Sequence, residues 1–235
     1  MQNKILIFTA TYNEADNIVD FLDCIKKLNL KVDILIIDDN SPDKTWELVK
    51  NYAKNESNVH LIIRDEKKGL DTAHKAAYEY ALKNNYGYLI TLDADLSHDP
   101  KVIPHFISEL KTNTFVIGSR YMEGGECGMT GWRLFLSYFG NKFIKFIFKI
   151  DCNEFTTFYR GFNLDNLKNF HLNNISSRGY SFAMETVYQL NKRGVHIKEI
   201  PISFKGRLKG YSKIPKIELL RTLINVFRLK FFNKH

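Results

Sequence analysis

Cysteine is scarce in this sequence: Cys24, Cys127 and Cys152 are the only three in 235 residues, far apart and without metal-ligand spacing. That excludes a disulfide framework and a cysteine-built zinc site, and reads as reduced thiols in a cytosolic, cytoplasmic protein. Long apolar runs are missing as well. No stretch of about 18 uncharged apolar residues occurs, so no membrane-crossing helix is expected. The apolar stretch in MQNKILIFTATYNE is too short for a signal peptide and has no small-residue cleavage site. Glycine is absent from the turn after the first apolar strand, which excludes the GxGxxG dinucleotide fingerprint. No GxxxxGK[ST] occurs either, which excludes a P-loop. Repeats, low-complexity tracts and obvious linkers are also lacking, and the length suits one domain over residues 1–235.

What is present divides the chain. Apolar residues make up 44% and charged residues 26%, an ordinary globular balance. The net charge of +8 is uneven: residues 1–119 hold 14 Lys and Arg against 18 Asp and Glu, and residues 120–235 hold 20 against 8. An acidic first half and a basic second half suggest two tasks. The basic half seeks phosphates, whether of nucleic acid, anionic lipid or a phosphorylated substrate.

The first 119 residues alternate strand and helix patterns. Strands are expected at 5–9, 32–38, 59–63, 88–92 and 114–118. Helices are expected over 14–28 behind an Asn13 cap, then over 45–55, 70–84 and 100–111. Continuous apolar strands between helices predict an α/β fold with a mainly parallel sheet covered on both faces. In such sheets ligands sit beyond the carboxyl ends of the strands. Three carboxylate-bearing stretches fall there: TATYNE, DDNSPD and DADLSHDP.

The last of these is the most telling. Asp99 and Pro100 suit a helix start, as N-cap and first helical residue. Asp93 and Asp95 are left at the edge of a buried strand, where ionised carboxylates are costly unless something positive meets them. A nucleotide diphosphate with Mg2+ or Mn2+ would complete them, because these ions take oxygen ligands from one or two carboxylates plus phosphates.

The second half reads differently. Residues 132–150 are apolar almost all round, with Lys142, Lys145 and Lys149 along one stripe and Phe135, Phe139, Phe143 and Phe146 on a shared face. That pattern fits a helix lying in a membrane interface, or a buried helix whose lysines snorkel to solvent. Residues 216–232 repeat it with Arg221, Arg228 and Lys230.

Taken together, TATYNE, DDNSPDKT, KKGLDTA, DADLSHDP, GSRYMEGG, the Arg133–Ser137–Asn141 spacing and ISFKGRLKGYSK resemble the dolichol-phosphate (polyprenol-phosphate) mannose synthases. These are inverting family 2 glycosyltransferases with the GT-A fold. Each motif alone is weak; the ordered set, spanning nearly the whole chain, is specific. The resemblance implies a nucleotide-sugar site of Thr11, Tyr12, Glu14, Ile37, Asp39, Lys67, Asp93, Ala94 and Asp95. It implies metal ligation by Asp93, Asp95 and Ser97, with Mg2+ or Mn2+ as cofactor. Arg120, Arg133 and Ser137 would cradle an acceptor phosphate, and Arg207 and Lys213 would join Asp93 and Asp95 as catalytic residues closing over the phosphates.

By the same resemblance the donor is a nucleotide sugar, GDP-mannose, and the acceptor a polyprenyl phosphate. The enzyme would sit peripherally on the cytosolic membrane face, with a small membrane subunit as a further partner and no nucleic acid. Several positions depart from the pattern: Ala10 stands for a proline, Asn40 and Asp71 for glycines, Tyr138 for an arginine, and EFTTFYR brings in Glu154 and Phe158. These touch the sugar pocket and the acceptor side. The same frame also accommodates another donor, such as UDP-glucose, and two further readings stand beside it. One is transfer to a sugar hydroxyl, which needs a base such as Glu185. The other is a non-catalytic nucleic-acid-binding protein, for which no reader motif is recognisable.

Overall fold

Residues 3–206 and 217–231 are described by the structure, a computed structural model. Four parallel strands form its first block: β1 (Ile5–Thr11), β2 (Asp33–Asp38), β3 (Val59–Ile63) and β4 (Tyr88–Thr91). They lie in the order β3-β2-β1-β4, because α1 (Ile18–Lys26), α2 (Thr45–Ala53) and α3 (Leu70–Lys83) carry the chain from one strand to the next. Beyond β4 come β7 (Arg160–Asn163), then β5 (Phe115–Ser119), then β8 (Ile197–Pro201). β7 runs antiparallel to both of its neighbours, and β5 and β8 pair in parallel. A separate parallel pair joins β6 (Glu126–Cys127) to β9 (Ser203–Phe204).

The mainly parallel, doubly covered sheet expected from the sequence is the one that forms. Alternate side chains of each strand enter two cores, so a strand buried on both sides must be apolar throughout. Leu6, Phe8, Leu35 and Ile37 pack with Ala73, Ala77 and Tyr78 of α3 and with Phe182 and Met184 of α6 (Gly179–Lys192). Ile5, Ile7, Ile34 and Ile36 pack on the opposite face with Phe21 and Leu22 of α1 and Phe106 of α4 (Ile103–Glu109).

Local chemistry shifts two expected boundaries and adds a strand. Asn13 is not a helix cap: it takes φ +60° in the left-handed region, and α1 starts only at Ile18 after a turn closed onto the Glu14 carbonyl. Asp99 does cap the next element, accepting from the Lys101 amide at 2.9 Å, but Pro100–Val102 is a 3-10 turn and α4 follows from Ile103. The antiparallel insertion of β7 was not expected, because RGFN carries an arginine and a glycine instead of an apolar run. Its Gly161 is required by packing: a Cβ there would lie 3.0 Å from Leu110 and 3.1 Å from Phe106.

Two long helices complete the molecule, α5 (Gly131–Phe148) and α7 (Ile217–Phe231). Among the described residues no helix is long and apolar enough to cross a membrane. The loops after β1, β2 and β4 gather at one edge of the sheet, beyond the strands' carboxyl ends.

Candidate active site

The loops after β1 and β2 are stapled together by short polar side chains. Asp38, fully buried, accepts from the Thr11 hydroxyl at 2.6 Å, the Ser41 amide at 2.8 Å and the Ser41 hydroxyl at 2.7 Å. The Asn13 amide then donates to Ser41 Oγ, the Glu14 amide to Thr45 Oγ1 and the Ala15 amide to Asp43, each at 3.0 Å. Buried carboxylates are stable here because backbone and hydroxyl donors surround them. Asn40 sits at φ +52°, in the left-handed region that asparagine tolerates.

This frame presents Tyr12, Asp39 and Lys67. The Lys67 ammonium lies 3.9 Å above the Tyr12 ring. Asp39 pairs with Arg64 and also accepts from the Lys68 amide at 3.2 Å. Arg64 is fixed in turn by Thr72 Oγ1 at 2.6 Å and the Gly69 carbonyl at 3.3 Å. Ile37 belongs to the core beneath.

The loop after β4 carries the paired carboxylates. Asp95 is buried and its Oδ1 accepts from both the amide (3.0 Å) and the hydroxyl (2.6 Å) of Ser97. Between them Leu96 takes φ +59°, a left-handed conformation that costs a branched residue roughly 1–2 kcal/mol. The Asp95–Ser97 bonds on either side hold that strain in place. Ala94 is buried, whereas the Asp93 side chain keeps 35% of its surface exposed. Behind it His98 is buried, its Nδ1 3.6 Å from Asp93 Oδ2 and its Nε2 3.3 Å from Thr157 Oγ1. Burial pushes the His98 pKa down to about 4 against the opposing pull of Asp95, so the imidazole is neutral at pH 7.

Among the described residues, no group of three or more His, Cys, Asp and Glu side chains is disposed to hold a metal ion. Two carboxylates and a hydroxyl are an incomplete oxygen set. Such a set fits Mg2+ or Mn2+, which ordinarily complete their shells with substrate phosphates and water.

The residues expected from the sequence to face the acceptor separate into buried and exposed. Arg120 lies beneath the surface, its Nε and Nη2 on the Glu154 carboxylate at 2.6 and 2.8 Å, with Thr156 Oγ1 at 2.9 Å. Burial alone would raise the Glu154 pKa, but the Arg120 charge and the Arg120 and Thr156 hydrogen bonds outweigh it and hold the carboxyl low. Arg133, on the first turn of α5, is exposed and has no ion-pair partner among the described residues. Ser137, one turn on, accepts from the Tyr121 hydroxyl at 2.6 Å. Beside it runs an apolar groove of about 390 Å³ lined by Tyr121, Leu134, Phe135, Tyr138 and Phe139. Arg207 and Lys213 lie outside the described residues.

The model for Glycosyl transferase family 2 matches residues 6–170. The chain belongs to that family. It is 31% identical over 228 residues to the undecaprenyl-phosphate mannosyltransferase of Micrococcus luteus, covering 96% of this chain and 93% of the relative. It is 30% identical over 226 residues to the polyprenol monophosphomannose synthase of Mycolicibacterium smegmatis, covering 95% and 85%. Solved structures share the fold. The glucosyl-3-phosphoglycerate synthase of Mycobacterium tuberculosis, in complex with Mn2+, UDP and glucosyl-3-phosphoglycerate, superposes with a TM-score of 0.65 at 14% identity, over 97% of this chain and 80% of that one. The mannosyltransferase of Pyrobaculum calidifontis, in complex with GDP-Man and Mn2+, gives 0.58 at 17% identity, over 97% and 64%. The protein is thus a family 2 glycosyltransferase with the GT-A fold, as its motifs implied.

Four structural partners in this glycosyltransferase were not singled out from the sequence: Asp38, Ser41, Arg64 and the Arg120–Glu154 pairing. Asp38 and Ser41 had a legible signal, since DDNS offers adjacent carboxylates and a hydroxyl at a strand end. Arg64 and Glu154 had none, because each meets its partner from 25 and 34 residues away.

Proposed function

We propose that this glycosyltransferase transfers a hexose, mannose from GDP-mannose, with inversion to a polyprenyl phosphate, working peripherally on the cytosolic face of a membrane. The observation that carries the proposal is the pair of nearly full-length relatives, each about 30% identical, whose names specify mannosyl transfer to an undecaprenyl or polyprenyl phosphate.

In this reading residues 1–119 hold the donor and residues 120–235 the acceptor and the membrane. Tyr12, Asp39 and Lys67, with Thr11 and Glu14 shaping the loop, seat the nucleotide. Asp95, with Asp93 and Ser97, would hold Mg2+ or Mn2+, which when bound offsets the charge growing on the leaving diphosphate. Arg133 and Ser137 orient the acceptor phosphate, and Arg120 lends its field from below. Arg207 and Lys213 add positive charge to the phosphates.

The acceptor supplies its own nucleophile. A phosphate monoester has a second pKa near 6, so at neutral pH it is already ionised and needs no protein base. Glu185 fits that chemistry: it is buried on α6, accepts from the Ser177 amide at 3.0 Å and lies 3.8 Å from Arg228. A residue so engaged is a structural anchor, which counts against the hydroxyl-acceptor reading.

The exposed apolar surface supports membrane contact. On α5, Trp132, Phe135, Phe139 and Phe146 are 69%, 47%, 50% and 78% exposed, and Ile224, Phe227 and Phe231 of α7 are exposed too. Phe143 instead packs against Phe227, and Lys145 is bound to Asp151 and Asn153, leaving Lys142 on α5 and Lys149 just past its end as the exposed lysines. Aromatics entering the acyl boundary beside lysines at headgroup level fit an interfacial helix.

A panel of nucleotide sugars offered with polyprenyl phosphate in liposomes, with Mg2+ or Mn2+, tests the proposal. GDP-mannose should give lipid-linked mannose of inverted anomeric configuration. Turnover by the purified chain alone would dispense with the small membrane subunit. Turnover of UDP-glucose instead would change the donor, and transfer to a sugar hydroxyl would overturn the acceptor.

A further inference from the structure

Phe204 stands between the two substrate sides. Its ring meets the His98 ring edge-on at 5.6 Å between centroids, and the Arg120 guanidinium carbon lies 5.3 Å from its centre on another side. His98 reaches Asp93, the exposed carboxylate of the donor loop, and Arg120 belongs to the acceptor side. The contact closes into a circuit. From His98, Nε2 goes to Thr157 Oγ1 at 3.3 Å, the Thr157 amide to Glu154 at 3.2 Å, and Glu154 to Arg120.

The backbone of Phe204 is pinned from both sides as well. It forms an antiparallel bridge with His98, and the Lys205 amide donates to the Ser97 carbonyl at 3.1 Å. On the other side its carbonyl accepts from the Gly128 amide at 2.7 Å, so close that a Cβ at Gly128 would lie 2.8 Å from the same oxygen. One residue of β9 is thereby tied to the metal-binding loop, to the acceptor-side loop and to the buried arginine.

We infer that Phe204 is a positioning residue that couples the two substrates: filling the donor site fixes the His98 loop, and through Phe204 fixes Arg120 for the acceptor phosphate. This rests on the reading of the function given above. Coupling between two ligands is reciprocal, so each must tighten the other by the same factor.

The test is a binding cycle by calorimetry with GDP plus Mn2+ and with farnesyl phosphate, each measured with and without the other. Wild type should show mutual tightening of about fivefold or more. Phe204→Leu, which keeps apolar volume and loses the aromatic face, should bring the factor below about twofold while each separate affinity stays within about twofold. Phe204→Tyr should restore it. Should Phe204→Leu fail to fold, Thr157→Val, which opens the circuit on its other arm, must lower the coupling in the same way. Coupling that survives these changes, or is absent from wild type although both ligands bind, overturns the inference and leaves the function standing. So does parallel loss of both separate affinities, the mark of a merely structural role. If wild type binds neither probe, the proposed function fails and the coupling with it.

Discussion

The proposed donor side and the proposed acceptor side of this glycosyltransferase are built on opposite principles. Around the donor loops, carboxylates are buried and consumed: Asp38 takes three hydrogen bonds and Asp95 two before any ligand arrives. Around the proposed acceptor surface, charge and aromatic area are left outward, with Arg133 exposed and Phe146, among the described residues, the most open of the large apolar side chains. A pocket for a charged, water-soluble nucleotide gains from dipoles fixed in advance. A surface for a chain that stays in a bilayer needs apolar area that no protein contact has already covered.

The contrast can be broken most severely at Asp95. Asp95→Asn keeps an acceptor for Ser97 but removes the charge, and transfer should fall to below about a thousandth of wild type, with unchanged urea unfolding. Retained turnover at limiting metal would remove Asp95 from the site. Next comes the pair beneath the acceptor side. Glu154→Ala leaves a buried Arg120 uncompensated and should cost about 3–5 kcal/mol in denaturant unfolding. A loss under about 1 kcal/mol would mean that the pair behaves as an exposed one.

Arg133→Ala should raise the KM for polyprenyl phosphate more than about tenfold, the scale of a lost charge-assisted contact, and leave GDP affinity unchanged. The reverse outcome would exchange the two sides. Replacing Trp132, Phe135, Phe139 and Phe146 by serine should weaken co-sedimentation with anionic liposomes and slow transfer to long-chain acceptors. Transfer to farnesyl phosphate should survive, and equal loss with both acceptors would make α5 a core helix.

The last test concerns pH. His74 is buried between Phe8, Phe158 and Phe182, and burial, with help from the Arg160 charge, lowers its pKa to about 3. The unfolded chain binds a proton there below about pH 6.5 and the folded chain does not until about pH 3, so stability falls as pH drops through that window. His74→Leu should flatten this acid limb in urea midpoints measured from pH 7 to pH 4.

The sequence made the donor side readable because its evidence is local. Apolar runs ending in Asp39, Asp93 and Asp95 give strand, edge and chemistry within a few residues. The strain at Leu96 had no such trace, since nothing about leucine announces a left-handed backbone. The acceptor side was legible only as periodicity. Spacing put Phe135, Phe139, Phe143 and Phe146 on one face, but α7 covers Phe143 and leaves the others open, a distinction made by tertiary packing. Lys145 likewise belongs to a stripe in the sequence and to Asp151 and Asn153 in the fold.

The antiparallel strand β7 bears on how the molecule is made. β4 and β5 follow each other in the chain with only α4 between them, yet β7 separates them in the sheet. A ribosome that has released residues up to 119 has therefore produced both strands, each with a row of unpaired amides and carbonyls where β7 will lie. Synthesis at roughly 5–20 residues per second leaves those edges open for several seconds before residue 163 emerges. Open edges of that kind invite pairing with other chains, so a growing copy is exposed to mispairing until β7 fills the gap.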